Sequence, residues 1–163
     1  MAQRLSEANR HVRDLAHGIM PVQVDAEGLR SALSELAEAT NSESVQCRFE
    51  CSGEFGTIHN TTATHLFRIA QEAVNNTLRH GGASQILISL MQRDDRITLQ
   101  VDDDGIGFDT ADATRGASTK SGMGLQTMEY RANLIGGSLS IRNKTNGGAR
   151  VKCLLLQEVV QNG

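Results

Sequence analysis

Residues 84–105 read SQILISLMQRDDRITLQVDDDG. Two runs of alternating apolar and polar side chains flank the charged stretch Gln92–Asp95, so the segment predicts two strands joined by a short turn, a β-hairpin. This stretch restricts the fold more than any other, because alternation buries one face of a sheet and something apolar has to cover it.

The cover is written just upstream. Leu66, Ile69, Ala70, Ala73, Val74 and Leu78 recur at spacings of three and four, which predicts a helix from about Thr61 to Arg79 closed by the glycines after His80. Further helices are expected over about 3–18, stopping at Gly18 and Pro21, from Asp25 as N-cap through GLRSALSELAEAT, and through LQTMEYRANLI up to Gly136 and Gly137. Strands are expected at 45–51, 138–143 and 149–157, the last two flanking the Asn146-Gly147 turn signal. Strands and helices mix without regular βαβ alternation, so the fold class is α+β: a two-layer sandwich in which helices cover one face of a mixed sheet, preceded by an N-terminal helix.

Composition permits such a core, with 39% hydrophobic and 21% charged residues over a 163-residue chain. Aromatics are only 3% with no Trp, so aliphatic side chains fill it. A net charge of −3 and pI near 5.9 argue against a general nucleic-acid binder. No apolar run approaches the ~20 residues that span a bilayer, and the polar, amphipathic start is unlike a signal peptide. Cys47, Cys51 and Cys153 form no CxxC pair, and Cys47 and Cys51 share a strand face; buried or half-buried thiols in a cytoplasmic setting are expected.

Three segments carry chemistry. EAVNNTLRH, residues 72–80, puts two adjacent Asn residues into a helix, where their side chains compete for backbone hydrogen bonds. At about 100° per residue, Glu72, Asn76 and His80 form a row beside the apolar face, with Arg79 near Glu72 and Asn75 turned further toward solvent. Residues 101–108, VDDDGIGF, leave a strand with glycines at Gly105 and Gly107, which permit tight turns or close approach to a ligand. Helix and third glycine are missing for a dinucleotide fingerprint, and the oxygen ligands do not alternate as in an EF-hand. A carboxylate there suits a donor such as an amino group on a base. Residues 121–125, SGMGL, close a polar loop over 109–124 and open a helix, where backbone N–H groups and the neighbouring Lys120 favour an anion.

Each segment alone has a bland reading: a solvated helix face, a glycine-rich strand exit, a flexible linker. In this order and spacing they resemble the ATP-binding domain of two-component histidine kinases, in the superfamily shared with gyrase, Hsp90 and MutL. EAVNNTLRH looks like the N box, DDDGIGF the G1 box and GMGL the G2 box, with the ATP lid, residues 109–121, between the last two. MEYRANLIGGSLSIRN resembles the segment after the G2 box in kinases of the NarX/DesK type. The likeness covers about residues 60–156, and LAHGIMPVQVDAEGLRSALSELA resembles, less specifically, the link from the dimerisation helices.

What the resemblance implies is a Bergerat-type ATP-binding fold, with residues 1–22 as the tail of a dimerisation and phosphoacceptor region and 23–163 as the catalytic domain. Asn76 matches the asparagine that ligates Mg²⁺, and Glu72 the acid that in related ATPases activates water, with orientation of Mg²⁺-bound water or proton transfer as alternatives here. Arg79 and His80 match positions near phosphates and ribose. Asp103 matches the aspartate that recognises the adenine amino group. Gly105, Gly107, Gly122 and Gly124 shape the pocket and lid beside Lys120. The implied cofactors are ATP and Mg²⁺, and the implied enzyme is a protein histidine kinase that acts on a histidine outside this chain. The implied partners are the phosphoacceptor and dimerisation domain of the same kinase, a NarL-type response regulator and a second copy in a full-length homodimer; no nucleic-acid partner is expected, nor membrane contact within this chain. The setting is cytoplasmic, and a full-length protein of this kind can be membrane-anchored.

Two departures stand out. Gly148-Ala149 replaces the usual Gly-Thr, which removes a hydroxyl. No histidine carries the following acid of a phosphoacceptor, since Val12 follows His11 and Gly18 follows His17. Rival readings are an anti-sigma-type serine kinase using the same site and an interaction module with a degenerate pocket.

Overall fold

Alternation along residues 85–103 produces the expected antiparallel pair, β2 (Gln85–Arg93) and β3 (Arg96–Asp103), in a computed structural model that describes residues 26–108 and 122–157. The remaining elements are α1 (Ala26–Thr40), β1 (Gln46–Ser52), α2 (Asn60–Asn76), α3 (Gly122–Leu134), β4 (Ser138–Asn143) and β5 (Ala149–Leu156). A π turn, Thr77–Gly81, ends α2. The five strands run in the order β1-β2-β3-β5-β4; β1 is parallel to β2 and every other pairing is antiparallel. The parallel pair needs a crossover connection, and α2 supplies it.

Register sets which side chains face the helices. Ile86, Ile88 and Leu90 of β2 lie opposite Asp103, Val101 and Leu99 of β3, and the last two lie opposite Val151 and Cys153 of β5. All are buried, and Leu66, Phe67, Ile69, Ala70 and Val74 of α2 pack on them together with Leu29, Leu33 and Leu36 of α1 and Met128 of α3. The result is the expected two-layer α/β sandwich, with helices on one face of a mixed sheet. The alternation has a second consequence: Asp103, the last residue of β3, sits on the core face and is 7% exposed.

Two expectations need correction. The long helix keeps α geometry only to Asn76 and widens into the π turn, where Gly82 in the left-handed region closes it. Cys51 is exposed although it shares a strand face with buried Cys47, because it lies near the end of an edge strand beyond the helical cover. Burial raises the Cys47 and Cys153 thiols to about 11 each. The helix proposed over 3–18, the Asp25 cap and the 109–121 loop lie outside the described residues.

Candidate functional site

The β3 exit sorts three consecutive acids by direction. Asp102 points to the open sheet face, where Arg150 Nε donates to its Oδ1 at 2.7 Å; this hydrogen bond pushes Arg150 above its ordinary value. Asp104 accepts from Ser84 N and Gln85 N, both at 2.8 Å, and from Ser84 Oγ at 2.6 Å. These bonds, led by the Ser84 hydroxyl, hold it below the usual carboxylate range and tie the loop to the start of β2. Asp103 alone turns into the helix layer.

There its oxygens meet three donors. Gly105 N and Ala149 N donate to Oδ1 at 2.9 and 3.1 Å, and Thr77 Oγ lies 2.9 Å from Oδ2. Ala73 O is also 3.1 Å from that hydroxyl, but the carboxylate is the stronger acceptor for its single proton. A carboxylate has about four lone-pair sites, so these three donors leave one on Asp103 for a further donor. The backbone N–H of Ala149 reaches this carboxylate without the hydroxyl that the usual threonine would bring.

Backbone contacts hold the loop against the helix end. Ile106 N donates to Gly81 O at 2.8 Å, and a Cβ at Gly105 would run into that same carbonyl. Gly148, at φ +88, lies against the Asp103 carbonyl, which also accepts from Lys144 Nζ at 2.9 Å. Asn143 grips Phe108 at two points: its Nδ2 donates to Phe108 O and its Oδ1 accepts from Phe108 N, each at 2.8 Å. Gly107, at φ +77, is packed on that same amide oxygen.

Glu72 and Asn76, both half-buried, meet the first turn of α3. A Cβ at Gly124 would lie 2.5 Å from Glu72 Oε1 and 3.3 Å from both terminal atoms of the Asn76 side chain. Glycine there lets two oxygen-bearing side chains crowd a helix N-terminus, a cradle for charged oxygens and a hard cation between them. Among the described residues no three His, Cys, Asp or Glu could hold a metal by themselves.

The structure therefore brings Glu72, Asn76, Asp103, Gly105 and Gly124 together around the α2 end, with Gly107 packed on Asn143 and Gly122 opening α3. Arg79 and His80 are exposed on the π turn. His80 does not continue the Glu72–Asn76 row, because the wider turn breaks the helical register after Asn76. Asn75 is half-buried like Asn76 and does not face outward as expected. Lys120 lies outside the described residues. Thr77, Asn143 and Lys144 were not singled out from sequence; their partners lie 26, 35 and 41 residues away, so no local pattern announces them.

The sequence profile of the histidine kinase-, DNA gyrase B- and HSP90-like ATPases matches residues 61–159. Among curated proteins, the chain is 36% identical over 149 residues to the sensor histidine kinase MctS of Rhizobium johnstonii, covering 89% of this chain and 31% of that one. It is 30% identical to the sensor histidine kinase LiaS of Bacillus subtilis, covering 90% and 39%. The chain thus spans about a third of the length of these relatives. In three dimensions it is similar to the ATP binding domain of PrrB from Mycobacterium tuberculosis, with TM-score 0.61 and 22% identity over 83% of this chain and 96% of that one. It is also similar to the Acinetobacter baumannii histidine kinase AdeS, with TM-score 0.64 and 13% identity over 94% and 77%. At those identities the likeness concerns the fold.

Proposed function

This chain belongs to the family of histidine kinase-, DNA gyrase B- and HSP90-like ATPases, and on that premise we propose that it is the ATP-binding catalytic part of a two-component sensor histidine kinase of NarX/DesK type. It would transfer the γ-phosphoryl group of Mg-ATP to a histidine outside this chain, from which a NarL-type response regulator receives it. The observation that carries the reading is the pairing of two centres on one helix end: buried Asp103 with a lone pair to spare, and Gly124 with Glu72 and Asn76 upon it.

Asp103 accepts the adenine amino group, and its direction is fixed by Thr77 and by the Gly105 and Ala149 amides. Asn76 is the protein ligand of Mg²⁺, with Glu72 orienting a bound water or moving a proton. Arg79, His80, Lys120, Gly122 and Gly124 serve the phosphates and ribose, while Gly105 and Gly107 shape the adenine side. Mg²⁺ held by Asn76 would supply positive charge that offsets the charge of the phosphates. The chain's own contribution is positioning and charge stabilisation, which dominate phosphoryl transfer. Residues 109–121 act as the lid that excludes water. In this reading residues 1–22 are the tail of the dimerisation region and 23–163 the catalytic domain. The full-length kinase is a homodimer whose own phosphoacceptor domain is the first partner. The catalytic part works in the cytoplasm and contacts neither nucleic acid nor membrane, and among the described residues no helix is long and apolar enough to cross a bilayer.

The test is transfer of label from γ-labelled ATP to a separately produced dimerisation region of the same kinase. Acid-labile, base-stable label on a histidine is the expected result. Acid-stable label on a serine of a bound partner would instead identify an anti-sigma-type kinase, and nucleotide binding without any transfer a degenerate module.

A further inference from the structure

The cross-strand register puts Asp103, Ala149 and Asn143 in one row on the helix side of the sheet. Ala149 lies opposite Asn143 of β4 and donates its N–H to Asp103 Oδ1 on its other flank. Asn143 alternates with Leu139 and Ile141, which pack on the core, so it shares their face. Asp103 and Asn143 thus stand on either side of β5, about 10 Å apart, the width of two strand spacings. Residues 105–108 bridge that gap. Gly105 N donates to Asp103 Oδ1 at one end, and Phe108 shares two hydrogen bonds with Asn143 at the other. The loop therefore crosses the head of β5 as a strap beside the Asp103 carboxylate.

Hydrogen bonds rather than packing give the strap its shape. Gly105 and Gly107 make it permissive, since glycine loses more conformational freedom on ordering than any other residue. Ile106 between them is 82% exposed and is held by its N–H on Gly81 O. The near end is fixed independently: Lys144 Nζ donates to Asp103 O at 2.9 Å, and Lys144 N closes its own turn on Gly148 O. The far end depends on Asn143. One amide carries both the acceptor for Phe108 N–H and the donor for Phe108 C=O, whereas a carboxylate offers only the first and an aliphatic chain neither. The same amide oxygen lies against Gly107, where a Cβ would come within 2.6 Å of it.

We propose that Asn143 is a positioning residue for nucleotide binding, which through Phe108 holds the strap in its binding-ready shape in the free protein. The inference rests on the function proposed above. Asn143 is exposed at the end of an edge strand and fills no part of the core, so the fold itself does not depend on it. What does depend on it is the order of two glycines next to the carboxylate that accepts the base. A pocket ordered before the nucleotide arrives binds it more tightly than one that has to be ordered on binding.

The test titrates the full chain with a non-hydrolysable ATP analogue and Mg²⁺, and follows exchange of the Phe108 amide hydrogen in the nucleotide-free protein. Asn143→Leu deletes both bonds: the amide exchanges faster, affinity falls about tenfold, and the melting temperature without nucleotide stays within about 5 °C of wild type. Asn143→Asp keeps an acceptor for the Phe108 N–H but has no donor for its C=O, so its affinity falls between the two. Thr145→Ala, exposed in the adjoining turn, binds as wild type does. A leucine variant that binds as tightly as wild type overturns the proposal, as does a Phe108 amide that exchanges equally fast in both. Affinity lost only alongside a melting temperature lowered by more than about 10 °C, in the leucine and aspartate variants alike, marks a merely structural contact and also overturns it. Those outcomes, in a wild type that binds the analogue, remove this inference alone; a wild type that binds no nucleotide removes the functional reading and the inference with it.

Discussion

Glu72 Oε1 occupies the space that a side chain at position 124 would need: a Cβ built on Gly124 would lie 2.5 Å from it. The clash is with the tip of a movable side chain, and alanine is favoured over glycine in a helix by roughly 1 kcal/mol. Gly124→Ala should therefore keep its melting temperature within about 5 °C of wild type. It should lose most of the stabilisation by Mg-ATP, because the Glu72 carboxylate and Asn76 amide are displaced. Paired thermal melts with and without Mg-ATP check both halves.

Thr77 supplies the hydroxyl on Asp103 Oδ2, and both residues are buried. Thr77→Val keeps the shape and deletes the donor, so it should cost about 1–2 kcal/mol of stability and weaken nucleotide affinity. Thr77→Ser should restore both. Denaturant titration gives the first quantity and nucleotide titration the second; a valine variant that binds as wild type would show that Asp103 needs no third donor.

His65 supplies a pH dependence. Its folded-state value is pushed below 6.5 by burial, then by Arg131 from α3 and Arg68 from its own helix. The unfolded chain therefore takes up a proton near pH 6.5 while the folded chain does so only at lower pH. Stability contributed by neutral His65 is present above about pH 6.5 and declines as pH falls from there toward the folded value. His65→Gln, which cannot charge, should flatten the difference in unfolding free energy between about pH 7 and about pH 5. A slope equal to that of wild type would contradict the placement of His65 between the two arginines.

Thiol reactivity should split one to two. Cys51 is exposed, while Cys47 and Cys153 are buried with thiols raised to about 11. At about pH 8 a disulfide reagent should label Cys51 quickly, and the other two only after unfolding. Cys51→Ser should remove the fast phase.

How far the sequence reached depends on whether a feature is periodic. Strict alternation announced β2 and β3, and it also separates the three acids of the strand exit, so that Asp103 lies among the buried groups while Asp102 and Asp104 take Arg150 and Ser84 as partners. Spacing of three and four announced α2 and its Glu72–Asn76 row. The π turn had no such signal, because TLRHG is ordinary helical sequence; its partners are Gly105, Ile106 and the Asp103 carboxylate, all distant in the chain. For the same reason helical periodicity puts His80 in the row and gives no sign of Thr77 or Asn143. Cys51 differs from Cys47 because a strand face tells which side a residue occupies, not whether it is covered there.

The most direct test of the account is a nucleotide titration of the chain by calorimetry in the presence of Mg²⁺, on wild type, Asp103→Ala, Asn76→Ala and Asn75→Ala. The account predicts saturable binding of a non-hydrolysable ATP analogue by wild type, its loss in Asp103→Ala, loss of the Mg²⁺ dependence in Asn76→Ala, and a much smaller effect of Asn75→Ala. No binding by wild type, or binding that survives Asp103→Ala unchanged, would contradict it.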